Sequence, residues 1–173
     1  MPLPADPVAV PVARHQIRRW LAALSWPAAQ LDDIVLAVSE AVTNAVEHAY
    51  VDQLPGVVEI RGIVETLATG QHRVTVIVRD YGRWRLAPTH DEHSQHGISI
   101  MQACMDTVTI ELLDHGRSGT QVVLRSKNVL LPSRDLPDQQ TRRQAQVMPD
   151  LLRTVNETRP HQPGAGVTWA DTC

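Results

Sequence analysis

The chain has 173 residues and a formal net charge of -3, from 19 acidic and 16 basic side chains. Its Lys and Arg residues occur as short pairs at most, which excludes the clustered basic surface that direct nucleic-acid binding requires. No apolar run approaches the roughly 20 residues of a membrane span, and the N-terminal stretch lacks the basic segment of a secretory signal. Cys104 and Cys173 are too few for a disulfide framework. We therefore predict a cytoplasmic protein that binds neither nucleic acid nor a membrane.

Two amphipathic helices are predicted in the first third of the chain. After a Pro-rich lead, the spacing of Ile17, Leu21 and Leu24 predicts a helix from Ala13 to Leu24. A break at Trp26-Pro27 then leads into a longer helix from Leu31 to Tyr50. The apolar arc of this second helix consists of Leu31, Ile34, Val35, Val38, Val42, Ala45 and Ala49.

The opposite side of the second helix is polar and contains no Lys or Arg. Glu40, Asn44 and His48 follow one another at i, i+4 and i+8, so they lie almost in a row, with Asp33 and Glu47 nearby. An exposed helix face usually mixes acidic with basic residues. Two interpretations follow from the residues alone, an acidic solvent-exposed face or a polar site.

Downstream, two β-hairpins are predicted, separated by a long loop and a short helix. Alternation places the first hairpin at Val58–Glu65 and Val74–Arg79, the loop at Arg83–Gln95, the helix at Gly97–Met105, and the second hairpin at Val108–Leu112 and Val122–Leu124. A loop of this length favours a functional lid. The order of elements predicts an α+β fold, a two-layer α/β sandwich with helices on one face of a mainly antiparallel sheet.

The composition changes near residue 128. Residues 1–128 are rich in aliphatic side chains and are predicted to form one domain, whereas residues 129–173 form a Pro/Gln/Arg-rich tail. The tail is predicted to be flexible, with at most one short helix around Gln139 to Val155, where Pro149 interrupts a weak apolar stripe.

Four short motifs occur in a fixed order along the predicted domain. They are Glu40-x3-Asn44 on the long helix, Asp80-x-Gly82 at a strand end, Gly97 before a helix, and Gly119-Thr120 entering the last strand. In this order they resemble the N, G1, G2 and G3 boxes of the GHKL (Bergerat) ATP-binding fold of gyrase, Hsp90 and histidine kinases. The segment SEAVTNAVEHAY is similar in sequence to the anti-sigma-factor serine-protein kinases, and the resemblance covers Pro7 to Ser126.

The resemblance implies a role for each motif residue, and the chemistry of the side chains agrees. Glu40 matches the family's catalytic base, and a carboxylate is able to accept the proton of an attacking hydroxyl. Asn44 matches the residue that binds Mg²⁺, a cation that prefers oxygen ligands. Asp80 matches the aspartate that accepts a hydrogen bond from the adenine amino group. The remaining nucleotide-binding positions implied by the family are His48, Gly82, His96, Gly97, Ile98, Gly119 and Thr120.

Each of these residues also has an ordinary structural interpretation. Asp80 and Gly82 suit a turn, Gly97 suits a helix start whose free N–H groups attract phosphate, and Gly119-Thr120 suits a hairpin exit. The chain also departs from the family pattern in two places. Trp84 replaces the last G1 glycine, and Gln95 replaces the first G2 glycine.

The resemblance implies ATP and Mg²⁺ as cofactors and a serine/threonine-protein kinase that regulates transcription. Such a protein sequesters a sigma factor, phosphorylates an anti-anti-sigma partner on serine, and is a homodimer. The altered boxes leave open a second hypothesis, a non-catalytic nucleotide-binding module that acts by sequestration. A third is a zinc site formed by His90, His93, His96 and Cys104.

Overall fold

The computed structural model describes residues 1–54, 56–83, 92–113, 119–131 and 146–147, the last two residues and residues 92–95 by their backbone only. Three helices lie within these ranges, α1 (Ala9–Ala23), α2 (Ala28–His48) and α3 (Glu92–Cys104). The strands are β1 (Pro2–Pro4), β2 (Val57–Thr66), β3 (His72–Arg79), β4 (Thr107–Leu112), β5 (Thr120–Arg125) and β6 (Gln146–Val147).

The strands form one antiparallel sheet in the order β1-β2-β3-β5-β4. The two predicted hairpins are β2–β3 and β4–β5, and both are confirmed. Strand β6 also pairs with β2, through Ile63 and Val64. Because β3 occupies the other side of β2, β1 and β6 share one edge of this strand. The sheet therefore brings chain segments together that are far apart in sequence.

The core lies between the sheet and the helices, as the predicted α+β sandwich requires. All seven residues of the predicted apolar arc of α2 are buried, namely Leu31, Ile34, Val35, Val38, Val42, Ala45 and Ala49. They pack against the alternating buried residues of β2, β3 and β5, such as Ile60, Val76 and Leu124. The burial of this arc fixes the rotation of α2 and thereby the direction of its polar stripe.

Helix α1 begins at Ala9, earlier than the predicted start at Ala13. Oδ1 of Asp6 accepts the backbone N–H groups of Val8 and Ala9 at 2.9 and 3.2 Å. These bonds satisfy N–H groups at the start of the helix that have no partner within it. The Asp6-Pro7 pair was the sequence signal for this earlier start.

Helix α3 begins at Glu92, so the prediction that Gly97 opens this helix is wrong. Glu and Gln are good helix formers, and no proline lies between Glu92 and Gly97 to prevent the earlier start. The last part of the predicted loop, Glu92–Gln95, is therefore helical. Residues 84–91 of that loop, including the G1 variation at Trp84, lie outside the described residues.

The described part of the tail differs from the predicted helix. Gln146 and Val147, which lie within the predicted Gln139–Val155 helix, form β6 instead, because the edge of β2 supplies hydrogen-bonding partners for an extended backbone. Val129 is buried and exchanges two backbone hydrogen bonds with His72. The other tail residues beyond Leu131 lie outside the described residues. Within the helices that the structure describes, none is both long and apolar enough to cross a membrane.

Candidate functional site

The polar stripe of α2 is partly covered rather than fully exposed. Asn44 is only 7% exposed and Glu40 is partly buried, although both belong to the polar face of the helix. His48 is also partly buried, and its Nε2 lies 4.0 Å from a carboxylate oxygen of Glu47. Part of the stripe is thus shielded from water, which strengthens the interaction of the buried Asn44 amide with a polar or charged ligand.

Gly97 of α3 approaches the middle of this stripe. A Cβ atom at this position would lie 3.2 Å from Oε2 of Glu40 and 3.4 and 3.5 Å from Oδ1 and Nδ2 of Asn44. The absence of a side chain therefore keeps space open beside both polar groups. The structure brings together Glu40, Asn44 and Gly97, which belong to the predicted N and G2 boxes.

Asp80 lies at the end of β3 and is 3% exposed. Its Oδ1 accepts the backbone N–H groups of Gly82 and Thr120 at 3.1 and 3.2 Å, and its own N–H donates to the Thr120 carbonyl at 3.0 Å. These bonds hold the carboxylate in one orientation. A carboxylate offers about four acceptor positions, so it is able to accept a further donor from a ligand.

Two glycines allow the chain to approach closely around Asp80. A Cβ at Gly82 would overlap the carbonyl oxygen of Ala49, at the end of α2. Gly119 has φ +136°, a conformation that side chains rarely adopt, and a Cβ there would overlap the carbonyl oxygen of Asp80. The structure therefore brings together Asp80, Gly82, Gly119 and Thr120, the predicted G1 and G3 residues.

The two groups of residues are joined through the C-terminal end of α2. The N–H of Arg83 donates to the carbonyl of Ala49 at 2.9 Å, and Ala49 directly follows His48. One end of the site thus has the oriented, buried carboxylate of Asp80. The other end has the carboxylate of Glu40 and the amide of Asn44, beside a glycine backbone without a side chain. An adenine amino group suits the first end, and a metal-bound polyphosphate suits the second.

Comparison with known families agrees with this geometry. The profile of the histidine kinase-like ATPase domain matches residues 3–126, which include every residue of both groups. The chain belongs to this family. The predicted fold class and the GHKL resemblance are thereby confirmed.

Individual relatives extend the comparison. The serine-protein kinase RsbW of Bacillus velezensis is 32% identical over 127 residues, covering 64% of this chain and 76% of the relative. The anti-sigma F factor of Clostridium acetobutylicum is 31% identical over 113 residues, covering 59% of this chain and 73% of that protein. The solved RsbU and RsbW domains of Rv1364c from Mycobacterium tuberculosis match with a TM-score of 0.50 and 30% identity, covering 79% of this chain and 34% of that longer chain.

The residues of this histidine kinase-like ATPase domain fit ATP and Mg²⁺. The hydroxyl Oγ1 of Thr120 is buried without a hydrogen-bond partner among the described residues, and Thr120 is 1% exposed. A buried hydroxyl without a partner costs about 1–3 kcal/mol, which a ligand polar group beside Asp80 would recover. At the other end, the Asn44 amide oxygen is a suitable Mg²⁺ ligand, and the space at Gly97 suits a phosphate chain.

Other predicted site residues occupy different surroundings. His96 is exposed on α3, and Ile98 is partly buried and packs against the core. His90 and the side chain of His93 lie outside the described residues, and the zinc site stays a prediction. Among the residues that are described, no group of three or more potential ligands surrounds a metal position.

The contacts of two residues near the site were not foreseen from the sequence. Tyr50, the last residue of the SEAVTNAVEHAY motif, bonds to Tyr81, the neighbour of Asp80. Cys104 lies at the end of α3, and burial raises the pKa of its thiol. The carboxylates of Asp33 and Glu40 raise this pKa further, and Lys127 partly offsets them. Both depend on contacts between distant segments and have no local sequence signal.

Proposed function

We propose that this histidine kinase-like ATPase domain binds Mg-ATP and phosphorylates a serine of an anti-anti-sigma partner. The observation that carries the proposal is the meeting of Glu40, Asn44 and Gly97 at the C-terminal half of α2, with the oriented Asp80 carboxylate just beyond the C-terminal end of the same helix. The serine kinases and anti-sigma factors among its relatives support this choice of reaction and partner.

Each residue then has a defined task. Asp80 accepts a hydrogen bond from the adenine amino group, and Thr120 supplies its otherwise unpaired hydroxyl beside it. Asn44 holds Mg²⁺ through its amide oxygen, and bound Mg²⁺ neutralises charge on the phosphates. Glu40 accepts the proton of the attacking serine hydroxyl on a carboxylate oxygen, which makes that hydroxyl a better nucleophile. His48, Gly82, His96, Gly97, Ile98 and Gly119 complete the proposed nucleotide-binding set.

The biological role that follows is regulation of transcription in the cytoplasm. The protein holds a sigma factor inactive and acts as a homodimer. Residues 1–128 carry this activity, while Val129 and β6 of the tail pack against the same sheet. The alternative is a non-catalytic module that binds nucleotide and sequesters its partner without phosphoryl transfer, as the altered G1 and G2 boxes suggest.

A Glu40→Gln variant separates the kinase from the non-catalytic module. We expect transfer from labelled ATP to the anti-anti-sigma proteins of the same genome to fall at least about 100-fold, because a general base contributes about 10²–10⁴-fold. ATP affinity, measured by calorimetry, is expected to persist. The matched control is Glu47→Gln on the same helix, whose side chain is 60% exposed.

The possible outcomes are distinct. Equal transfer by wild type and Glu40→Gln contradicts the assigned base. ATP binding by wild type without transfer to any of these partners supports the non-catalytic module. An absence of ATP binding in wild type rejects both.

A further inference from the structure

Four consecutive backbone N–H groups around Asp80 all have hydrogen-bond partners. Those of Asp80 and Gly82 bond within the Asp80–Thr120 group, to the Thr120 carbonyl and to Oδ1 of Asp80. Those of Tyr81 and Arg83 bond to the end of α2, at the Tyr50 hydroxyl and the Ala49 carbonyl, both at 2.9 Å. The segment is therefore held on one side by β5 and on the other by α2.

The hydroxyl of Tyr50 connects three parts of the fold. It accepts the N–H of Tyr81 at 2.9 Å and the N–H of Val57 at 3.2 Å, and it donates to the Val57 carbonyl at 2.7 Å. A hydroxyl has one donor and two acceptor positions, so all of its capacity is used. Its ring crosses so close to Gly56 that a Cβ there would overlap it. Tyr50 thus fixes the distance between α2, the start of β2 and the end of β3.

This connection links the two ends of the proposed site. Asn44 and Glu40 are carried by α2, whereas Asp80 is carried by β3, and Tyr50 directly joins the end of α2 to the residue beside Asp80. Without the hydroxyl, the N–H of Tyr81 would turn to water, and residues 80–83 would lose one of their two backbone attachments to the segment that ends α2. The orientation of the Asp80 carboxylate would then be less well defined.

We propose that Tyr50 is a positioning residue for purine recognition, which acts on Asp80 through the backbone of Tyr81. This inference rests on the proposed ATP site. Tyr50 itself does not touch the reacting groups. Its contribution is to keep the adenine-binding carboxylate at a fixed place relative to the helix that carries Asn44 and Glu40, so that base and phosphates are bound together.

The test compares two Tyr→Phe variants in the full chain. Tyr50→Phe removes the acceptor of the Tyr81 N–H, while its ring remains packed against the core. Tyr81→Phe removes only a hydroxyl that donates to Glu59 at 2.7 Å on the exposed side. Affinities for Mg-ATP and for Mg-inosine triphosphate, which lacks the amino group, are measured by calorimetry. Their ratio reports recognition of the base separately from binding of the phosphates.

We expect Tyr50→Phe to weaken ATP binding about tenfold, an effect of the size of one to two ordinary hydrogen bonds, and to reduce the preference for ATP over inosine triphosphate. Tyr81→Phe should leave both affinities unchanged. A general loosening of the fold would weaken both nucleotides equally and preserve the ratio. A preserved ratio in Tyr50→Phe, or an equal loss in Tyr81→Phe, therefore overturns the inference.

Hydrogen exchange in the nucleotide-free protein tests the same inference independently. The Tyr81 amide should exchange faster in Tyr50→Phe than in wild type or Tyr81→Phe, because only Tyr50→Phe removes its acceptor. Unchanged exchange of the Tyr81 amide in Tyr50→Phe rejects the connection between Tyr50 and Tyr81, even if this variant binds ATP more weakly. If the wild-type protein bound no ATP, the proposed function would be rejected. This result is distinguishable from unchanged exchange of the Tyr81 amide, which rejects only the role of Tyr50.

Discussion

Asn44 is almost fully buried on the polar face of α2, because α3 crosses that face at Gly97. A neutral amide tolerates such a position better than a charged group, since removing an ion from water costs far more. Glu40, by contrast, keeps part of its surface exposed. Further along the same stripe, Asp33 lies near the thiol of Cys104. Burial raises the pKa of this thiol, and the carboxylates of Asp33 and Glu40 raise it further against the opposing effect of Lys127.

This environment predicts the behaviour of Cys104 in a Cys173→Ser background. Burial and nearby carboxylates raise the pKa of the thiol, so the midpoint of its alkylation by iodoacetamide should lie above pH 9.0. Asp33→Asn removes one negative charge and should lower that midpoint. Asp32→Asn is the matched control, because the Asp32 carboxylate instead pairs with Arg18 at 2.8 Å. Equal shifts in both variants would contradict this assignment.

The same shift has a consequence for stability. The folded state disfavours the thiolate, whereas the unfolded thiol ionises at its ordinary pKa of 9.0. The contribution of Cys104 is thus fully present below pH 9 and is lost as pH rises through the folded-state pKa.

At the scale of elements, α2 and α3 pack antiparallel. Gly97, in the first half of α3, lies beside Glu40 and Asn44, whereas Cys104, at its end, lies near Asp33, closer to the start of α2. The glycine permits this close packing at the proposed phosphate end of the site. Sequence alone favoured a helix start at Gly97, but the structure places the glycine inside the helix, where its missing side chain leaves space beside Glu40 and Asn44 of α2.

Substitution of Gly97 should separate stability from ligand binding. Gly97→Ala gains about 1 kcal/mol of helix propensity, which offsets the tight contact of 3.2 Å with Glu40, so we expect little change in the free energy of unfolding. ATP affinity should fall, because the methyl group fills the space beside Glu40 and Asn44. Calorimetry and urea unfolding measure the two effects, with Gln102→Ala on the exposed side of α3 as control. Undiminished ATP affinity would refute the assigned phosphate end.

At the scale of the whole molecule, the two edges of the sheet differ. The edge of β2 is covered by β1 and, further along, by β6. The β4 edge is not covered by another described strand, and Ile110 and Leu112 there are 40% and 67% exposed. An uncovered edge readily accepts further strands, so closure of the β2 edge by tail residues protects it from unwanted pairing.

The pairing of β6 predicts which tail amide matters. The backbone of Ile60 exchanges two hydrogen bonds with Met1. The backbone N–H and C=O groups of Val64, four residues further along β2, therefore point to the same edge, where Val64 lies opposite Gln146. Gln146→Pro should therefore accelerate hydrogen exchange of the Val64 amide, whereas Val147→Pro removes an N–H that points away and should not. The Ile60 amide is the internal reference. Equal Val64 exchange in both variants would contradict the register.

The sequence by itself determined the features that depend on local periodicity. The apolar arc of α2, the alternation in β2 and β3, and the order of Glu40, Asn44, Asp80 and Thr120 sufficed for the fold class and the family. These signals are local because a helix or strand buries residues at a fixed spacing.

Tertiary structure alone decided which distant groups meet. The contact of Gly97 with Glu40 and Asn44, the pairing of Gln146 with β2, and the hydroxyl contacts of Tyr50 all join segments that are far apart in sequence. Their energies depend on packing partners that no local pattern encodes. The sequence could therefore name the residues of the site, whereas the distances between them and the residue that positions them followed from the folded chain.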